Sequence, residues 1–181
     1  TTNRQAGVSL IEILVTTLIL GVGLLGVAAL QISSISSNQE GLYASQATAI
    51  AEDYASRIRA SKTSTQLPNS NINYAAYVAV FHNGNNQPFD CAEPATLCRV
   101  NDCTPADFAA YAQFEACNAA SDLLPGGQIR AINNGIRLSL VVDWDSSEGR
   151  LDTGNLSVVN ANCQPLTGSD VRNCVIMEIV P

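Results

Sequence analysis

The stretch AGVSLIEILVTTLILGVGLLGVAALQ, residues 6–31, decides the architecture of this chain. Between Val8 and Ile32 the only charged side chain is Glu12. About 20 apolar residues suffice to span a bilayer as a helix, so the run predicts a transmembrane helix over residues 8–32. A secretory signal peptide would have a shorter apolar core, followed by a small-residue cleavage site. The carboxylate of Glu12 needs an explanation, because a charge inside such a helix costs roughly 2.5–3.5 kcal/mol on insertion scales.

The positions of the basic residues and the cysteines predict where the rest of the chain lies. Arg4 precedes the apolar run, and the next basic residue is Arg57. By the positive-inside rule the N-terminus faces the cytoplasm. All six cysteines fall in the second half of the chain, and an even number there indicates disulfides in an oxidising compartment. We therefore expect one membrane pass and a disulfide-bonded domain on the far side.

Composition argues against several classes of function. The chain has 9 Lys and Arg against 16 Asp and Glu, whereas binding to nucleic acid usually needs a basic patch. With one His and no Cys-x-x-Cys, neither a metal site nor a cofactor is expected. The acidic segment 143–152 fails as an EF-hand, because Gly149 comes one place late and Gly154 replaces the bidentate Glu. We interpret it as a solvated hairpin turn and, with no nucleophile-elbow motif present, do not expect an enzyme.

The apolar run continues into a second helical segment, SSISSNQEGLYASQATAIAEDYASRIRASK, residues 33–62. It contains no Pro, and apolar residues recur at helical spacing. One helix is therefore predicted from about Leu10 to about Lys62, with residues 33–62 outside the lipid and a globular head over residues 63–181. The predicted packing face of the outer half comprises Leu42, Ala49, Ile50, Tyr54 and Ile58.

The head is predicted to combine a helix with short strands. Thr104 and Asp107 have the spacing of a capping box around Pro105, which predicts a helix running to about Ser121. Alternation in GIRLSLVVDWD, residues 135–145, predicts a strand with Ile136, Leu138, Leu140, Val142 and Trp144 on one face. Residues 77–81, 155–161 and 174–180 are also strand-like. Three antiparallel strands covered by the long helix give an α+β fold.

The junction Gly7-Val8-Ser9-Leu10-Ile11-Glu12 resembles the processing site of type IV pilin and pseudopilin precursors. In that family a prepilin peptidase removes a short basic leader after a Gly, the new amino group is N-methylated, and a Glu stands fifth after the cut. The resemblance implies a leader of residues 1–7, with cleavage and methylation at Gly7 and Val8. It also implies that Glu12 pairs with such an amino group in the filament, since a buried charge is tolerable only when paired. A Glu12 that snorkels to the lipid headgroups of a plain anchor is the alternative.

Three glycines, Gly21, Gly23 and Gly26, interrupt the apolar run at a cost of about 1 kcal/mol each relative to Ala. They permit close approach of another helix. The family resemblance suggests instead a stretch that unwinds in the filament. Ordinary tolerance of Gly in membrane helices is the third alternative.

The second half of the chain resembles the minor pilins of the PilV kind. Their Cys-x-Pro-x-x-x-Ala-x-Tyr helix, Leu-Pro-Gly-Gly turn and Val-x-Trp-Asp strand are matched by Cys103, Pro105, Ala109, Tyr111, Leu124, Pro125, Gly126, Gly127, Val142, Trp144 and Asp145. The match is partial, because Gln113 and Phe114 occupy a region where the family often has Asp and Trp.

This resemblance implies an α+β, type IV pilin-like subunit of a Gram-negative pilus. It would be inserted in the inner membrane with a periplasmic C-terminus and then move to the cell-surface pilus. Its expected partners are the prepilin peptidase, other minor pilins and the major pilin, in a priming or tip complex that starts pilus growth and supports attachment and twitching motility. The alternatives are a type II secretion pseudopilin and a membrane-anchored binding domain that never polymerises.

The disulfide pairing is predicted only in part. Cys163 and Cys174 flank the loop between two strands, and a bridge there resembles the C-terminal loop of many pilins. Cys103 and Cys117 are not expected to pair, because fourteen helical residues separate them by about 21 Å, and bridged Cα atoms lie within about 7 Å. Two arrangements of the other four cysteines stay open: 91–103 with 98–117, or 91–117 with 98–103.

Overall fold

The computed structural model of the chain describes residues 9–60, 86–100, 102–133, 137–146, 162–168 and 172–179. These residues form α1 (Leu10–Ala60), α2 (Pro105–Leu123), β1 (Gln128–Asn133), β2 (Leu138–Asp145), α3 (Gln164–Thr167) and β3 (Arg172–Ile179). The strands make an antiparallel sheet in the order β1-β2-β3. A long apolar N-terminal helix, a small antiparallel sheet and disulfides confirm the predicted α+β, type IV pilin-like fold.

The outer half of α1 packs against the head through one face. Its buried residues recur every three or four positions, as one face of a helix requires: Ala47, Ile50, Ala51, Tyr54, Ala55 and Ile58. The predicted face was wrong at Leu42 and Ala49, which are exposed. At 100° per residue both point away from Ala47, and alanines fill the contact instead. The small side chains let the helix approach the head closely.

The N-terminus of α2 has the predicted capping box. The Thr104 hydroxyl accepts a hydrogen bond from the Asp107 amide at 3.2 Å, and the Asp107 carboxylate accepts one from the Thr104 amide at 3.1 Å. The hydrogen bonds from Thr104 lower the pKa of the Asp107 carboxyl. The helix continues two residues beyond the predicted end at Ser121, to Leu123.

A tight turn fixes the far end of α2. Gly126 has a left-handed backbone conformation with φ of 54°. A Cβ atom on Gly127 would lie 2.0 Å from the carbonyl oxygen of Ala120, so no side chain fits there. Backbone conformation therefore favours glycine at position 126 of the Leu-Pro-Gly-Gly turn, and lack of space requires it at position 127.

The central strand, β2, is buried on both faces. The predicted face, with Leu138, Leu140, Val142 and Trp144, lies in the main core with α1 and α2. On the opposite face, Val141 packs against the disulfide of Cys163 and Cys174. Strand β1 was not predicted, because the polar side chains in its sequence, QIRAIN (residues 128–133), obscure the alternation of apolar residues that marks a strand. Ile136 and the predicted strands at 77–81 and 155–161 lie outside the described residues.

All six cysteines form disulfides, and the structure selects one of the two open arrangements. The bridges join Cys91 to Cys117, Cys98 to Cys103, and Cys163 to Cys174, with Cα–Cα distances of 5.2, 5.5 and 5.7 Å. The first ties the segment before α2 to the middle of that helix. The third is the predicted bridge across the loop before β3.

The segment before α2 also pairs with the outer edge of β1. The Phe89 amide donates to the Ile129 carbonyl at 2.8 Å, and Pro88 forms a β-bridge with Arg130. The Phe89 ring is buried and meets Tyr54 of α1 edge-to-face at 5.5 Å. This contact joins the long helix, the sheet edge and the disulfide-bonded segment in one core.

Candidate membrane helix and its attachment to the head

The inner half of α1 exposes its large apolar side chains on every side. Leu10 is 81% exposed and Leu25 is 73% exposed. The helix contains an apolar window with mean hydropathy 2.5, none of it buried, and is long and apolar enough to cross a membrane. The core helix of a soluble protein would be mostly buried. An apolar surface this large needs lipid or other protein chains around it.

Two threonine side chains within this half are satisfied by the helix itself. The Thr16 hydroxyl donates to the Ile13 carbonyl at 2.9 Å. The Thr17 hydroxyl donates to the carbonyls of Ile13 and Leu14, both at 3.0 Å. Such internal bonds suit an apolar medium, which offers no water as a substitute partner.

Glu12 lies in the first turn of α1 with its side chain exposed. Its amide donates to the Ser9 carbonyl at 3.0 Å. The partial positive charge at a helix N-terminus favours a carboxylate at this position. Thr16, Ile19 and Gly23 follow Glu12 on the same helix face. Gly7 and Val8 lie outside the described residues, so cleavage between them and pairing of Glu12 stay predictions.

The glycines of the apolar run are helical and open to their surroundings. A Cβ atom placed on Gly21, Gly23 or Gly26 would meet no atom within 4 Å among the described residues. The space beside them can accept another helix, and α1 is continuous through all three.

The membrane-proximal end of the head is attached to α1 through Glu40. The Oε1 atom of Glu40 accepts hydrogen bonds from Trp144 Nε1 at 3.2 Å and from Asn173 Nδ2 at 2.6 Å. Trp144 and Asn173 are directly opposite each other on β2 and β3. One carboxylate on the helix thus binds two neighbouring strands.

The other end of the head is attached to α1 through Glu115 of α2. Its carboxylate forms an ion pair with Arg57 of α1, accepts a hydrogen bond from Arg99 at 3.0 Å, and accepts one from the Tyr111 hydroxyl at 2.6 Å. Arg57 also pairs with Asp53 at 2.8 Å. Burial raises the pKa of Glu115, but the bonds from Tyr111, Arg57 and Arg99 outweigh it and hold that pKa below its usual value.

A buried ion cluster lies on the face of the sheet that points away from α1 and α2. One prediction was wrong here. Asp143, assigned from the sequence to a solvated turn, is fully buried. Its carboxylate pairs with Arg130 at 3.1 Å and with Arg172, because a buried charge needs such partners. Arg130 also donates to the Leu166 carbonyl at 3.2 Å, and Arg172 to the Gly126 carbonyl at 2.6 Å. The cluster joins the sheet to the disulfide loop and to the turn after α2.

A groove of about 440 Å³ lies between α2 and the loop of the Cys98–Cys103 bridge. Its lining is partly apolar, with Val100 76% exposed at the rim. The lining residues are Glu93, Leu97, Arg99, Val100, Tyr111, Phe114, Glu115 and Asn118. Within the residues that the structure describes, no group of three His, Cys, Asp or Glu side chains could hold a metal ion.

Two family models match adjoining parts of the chain. Residues 2–28 match the prokaryotic N-terminal methylation motif, and residues 29–114 match the Tt1218-like family, described as type IV pilin Tt1218. Together they cover a continuous stretch that exceeds half of the chain and ends within α2. No curated protein and no solved structure gives a significant match. The methylation motif spans Gly7, Val8 and Glu12, and the sheet lies beyond both matches.

Proposed function

From the premise that this chain is a type IV pilin precursor, we propose that it is a minor pilin of the PilV kind. Membership of the family gives it a structural role, processing by a prepilin peptidase, a membrane anchor and assembly into a pilus with other pilins. We further propose that it joins a priming or tip complex with other minor pilins and the major pilin. This complex would initiate pilus growth and so support attachment and twitching motility.

The proposed division of the chain follows from the two halves of α1. Residues 1–7 are the leader, residues 8–32 the transmembrane and assembly helix, residues 33–62 its periplasmic half, and residues 63–181 the head. The protein would first span the inner membrane once, with the C-terminus in the periplasm. The exposed apolar half of α1 is the observation that carries the proposal, because it needs lipid before assembly and neighbouring helices afterwards.

Glu12 gives the assembly step its specificity. Cleavage after Gly7 would free an α-amino group on Val8, which is then methylated. In a bundle of apolar helices, the Glu12 carboxylate would be stable only beside such a positive charge. Since the pair forms at one axial offset between neighbours, it would set the register in which subunits stack.

The residues that resemble the PilV kind support the finer assignment, because they lie on α2, on the turn that follows it and on the strand that contacts this turn. Trp144 binds Glu40 of α1, and the Asp145 amide donates to the Pro125 carbonyl at 2.9 Å. The capping box forms the start of α2, and Gly127 lies against the other end of this helix. The similar sequence features therefore belong to one structural unit.

The test uses a host that carries the matching prepilin peptidase and pilus machinery. Intact mass of the membrane-extracted protein should fit a chain starting at Val8 with one added methyl group. The variant Glu12→Ala should be cleaved like the wild type but be strongly depleted from sheared pili, because its helix lacks the partner of the amino group. The control Glu52→Ala removes an exposed carboxylate from the outer half of α1, and its pilus level should be unchanged.

A mass that retains the leader in the presence of the peptidase would contradict the proposal. So would a Glu12→Ala variant that enters pili at the wild-type level. Cleaved protein found only in secretion-system filaments would replace the pilus assignment with the type II secretion alternative.

A further inference from the structure

We propose that Glu40 is a positioning residue that fixes the direction in which α1 leaves the head. Its carboxylate holds the membrane-proximal corner of the sheet to the helix and thereby sets one angle between the exposed half of α1 and the β-strands. The local geometry carries this inference. Its consequence for pilus assembly rests on the proposed function.

The contacts of Glu40 are directional and charge-assisted. A single oxygen, Oε1, accepts from the indole of Trp144 and from the amide of Asn173, on adjacent strands. Hydrogen bonds to an ionised carboxylate are roughly twice as strong as neutral ones. Rotating or sliding α1 would break both bonds at once.

The apolar contact of α1 begins beyond Glu40 and leaves the membrane end of the contact to that residue. Three of its buried side chains are alanines, Ala47, Ala51 and Ala55, and the larger Ile50, Tyr54 and Ile58 lie about 15 Å or more beyond Glu40 along the helix. Burial of apolar surface is non-directional, so it restrains the direction of the membrane end less than the hydrogen bonds of Glu40 do. At 1.5 Å per residue, Glu40 and Arg57 are about 25 Å apart along α1. The contacts of Glu40 and the Arg57–Glu115 ion pair therefore lie at the two ends of this apolar contact, and two such points define an axis.

The strands bound by Glu40 cannot readily follow a moving helix. Arg172, beside Asn173, pairs with the buried Asp143 and donates to the Gly126 carbonyl. Cys174, on the other side of Asn173, is bridged to Cys163. These contacts fix this corner of the sheet, so a change in the direction of α1 here must break the hydrogen bonds of Glu40.

Glu40 also marks a boundary along α1. On its membrane side, residues 10–35 and 37–39 are exposed, and the first fully buried residue beyond it is Ala47. In the proposed pilus, the exposed half enters a helical bundle and the head remains at the surface. The angle held by Glu40 would then decide whether the exposed half can enter the bundle while the head lies at the pilus surface.

The experiment measures this angle on the full chain in detergent, with no pilus present. Spin labels are introduced as unnatural amino acids at Ser33 of α1 and Asp122 of α2, both exposed, which leaves the cysteines bridged. Pulsed EPR gives the distribution of distances between the labels. We expect a single narrow distribution for the wild type and a broadened or shifted one for Glu40→Ala. The matched control, Glu52→Ala, should leave the wild-type distribution unchanged.

A second variant keeps the test decisive if Glu40→Ala lowers the stability of the head. Asn173→Ala removes the shorter of the two bonds from the strand side and should also broaden the distribution. Thermal unfolding followed by far-UV circular dichroism checks that each head is folded, because the indole of Trp144 itself loses a bond in Glu40→Ala. Wild-type distributions in a folded Glu40→Ala variant and in Asn173→Ala would overturn the inference, whatever the outcome of the cleavage and pilus experiments.

Discussion

The two halves of α1 share one continuous helix but have opposite environments. The inner half carries long aliphatic side chains that are exposed all round, whereas the outer half buries one alanine-rich face against the head. Large apolar side chains suit a helix that will be surrounded by lipid or other helices. In the outer half, alanines alternate with Ile50, Tyr54 and Ile58, so the helix lies close to the head and still fills its core. The comparison shows that burial of a single face, rather than hydrophobicity alone, separates the part of α1 that serves the fold from the part that serves assembly.

The largest expected difference between the halves is in the stability of the head. Tyr54→Ala removes a fully buried ring that contacts Phe89, and should destabilise the head by about 3–5 kcal/mol. Leu18→Ala removes a side chain that is 62% exposed, and should leave head stability unchanged. Thermal unfolding in detergent, followed by Trp144 fluorescence, compares the two. A Leu18→Ala midpoint lowered as far as that of Tyr54→Ala would mean that the inner half packs on the head.

The sequence predicted the parts of this molecule that depend on local pattern. The apolar run, the continuation of the helix past Ile32 and the capping box at Thr104 are each encoded within a few turns. The hydrogen bond between Glu40 and Trp144 joins residues 104 positions apart, so a local sequence pattern cannot predict it. Asp143 was misplaced for the same reason, since Arg130 and Arg172 reach it only after the strands pair. Strand β1 was missed because its Arg and Gln side chains serve that buried ion cluster.

A second, smaller contrast concerns glycines in the two environments. Gly127→Ala would place a methyl group against the backbone of Ala120 and should destabilise the head by about 1–3 kcal/mol. Gly23→Ala meets no atom within 4 Å in the described chain and should leave the isolated protein at least as stable. The same unfolding assay measures both. If Gly23→Ala is stable in detergent but depleted from pili, close helix packing in the filament becomes the reason for this glycine. Unchanged head stability in Gly127→Ala would show that the turn can move away from α2.

The smallest expected effect is an acid dependence confined to the head. The pKa of Glu115 is lowered in the folded state, because the bonds from Tyr111, Arg57 and Arg99 exceed the effect of burial. A lowered pKa means that this carboxylate stabilises the fold above its unfolded pKa of about 4.3, and that the contribution is lost as the pH falls through the folded value. Glu115→Gln should therefore flatten the fall in thermal midpoint below about pH 4.5 without abolishing it, because the lowered pKa of Asp107 acts in the same direction. The control Glu52→Gln should keep the wild-type profile. Since Glu115 joins α2 to Arg57 of α1, an identical profile for Glu115→Gln would mean that the contact between the helices depends on their buried apolar faces and not on this ion pair.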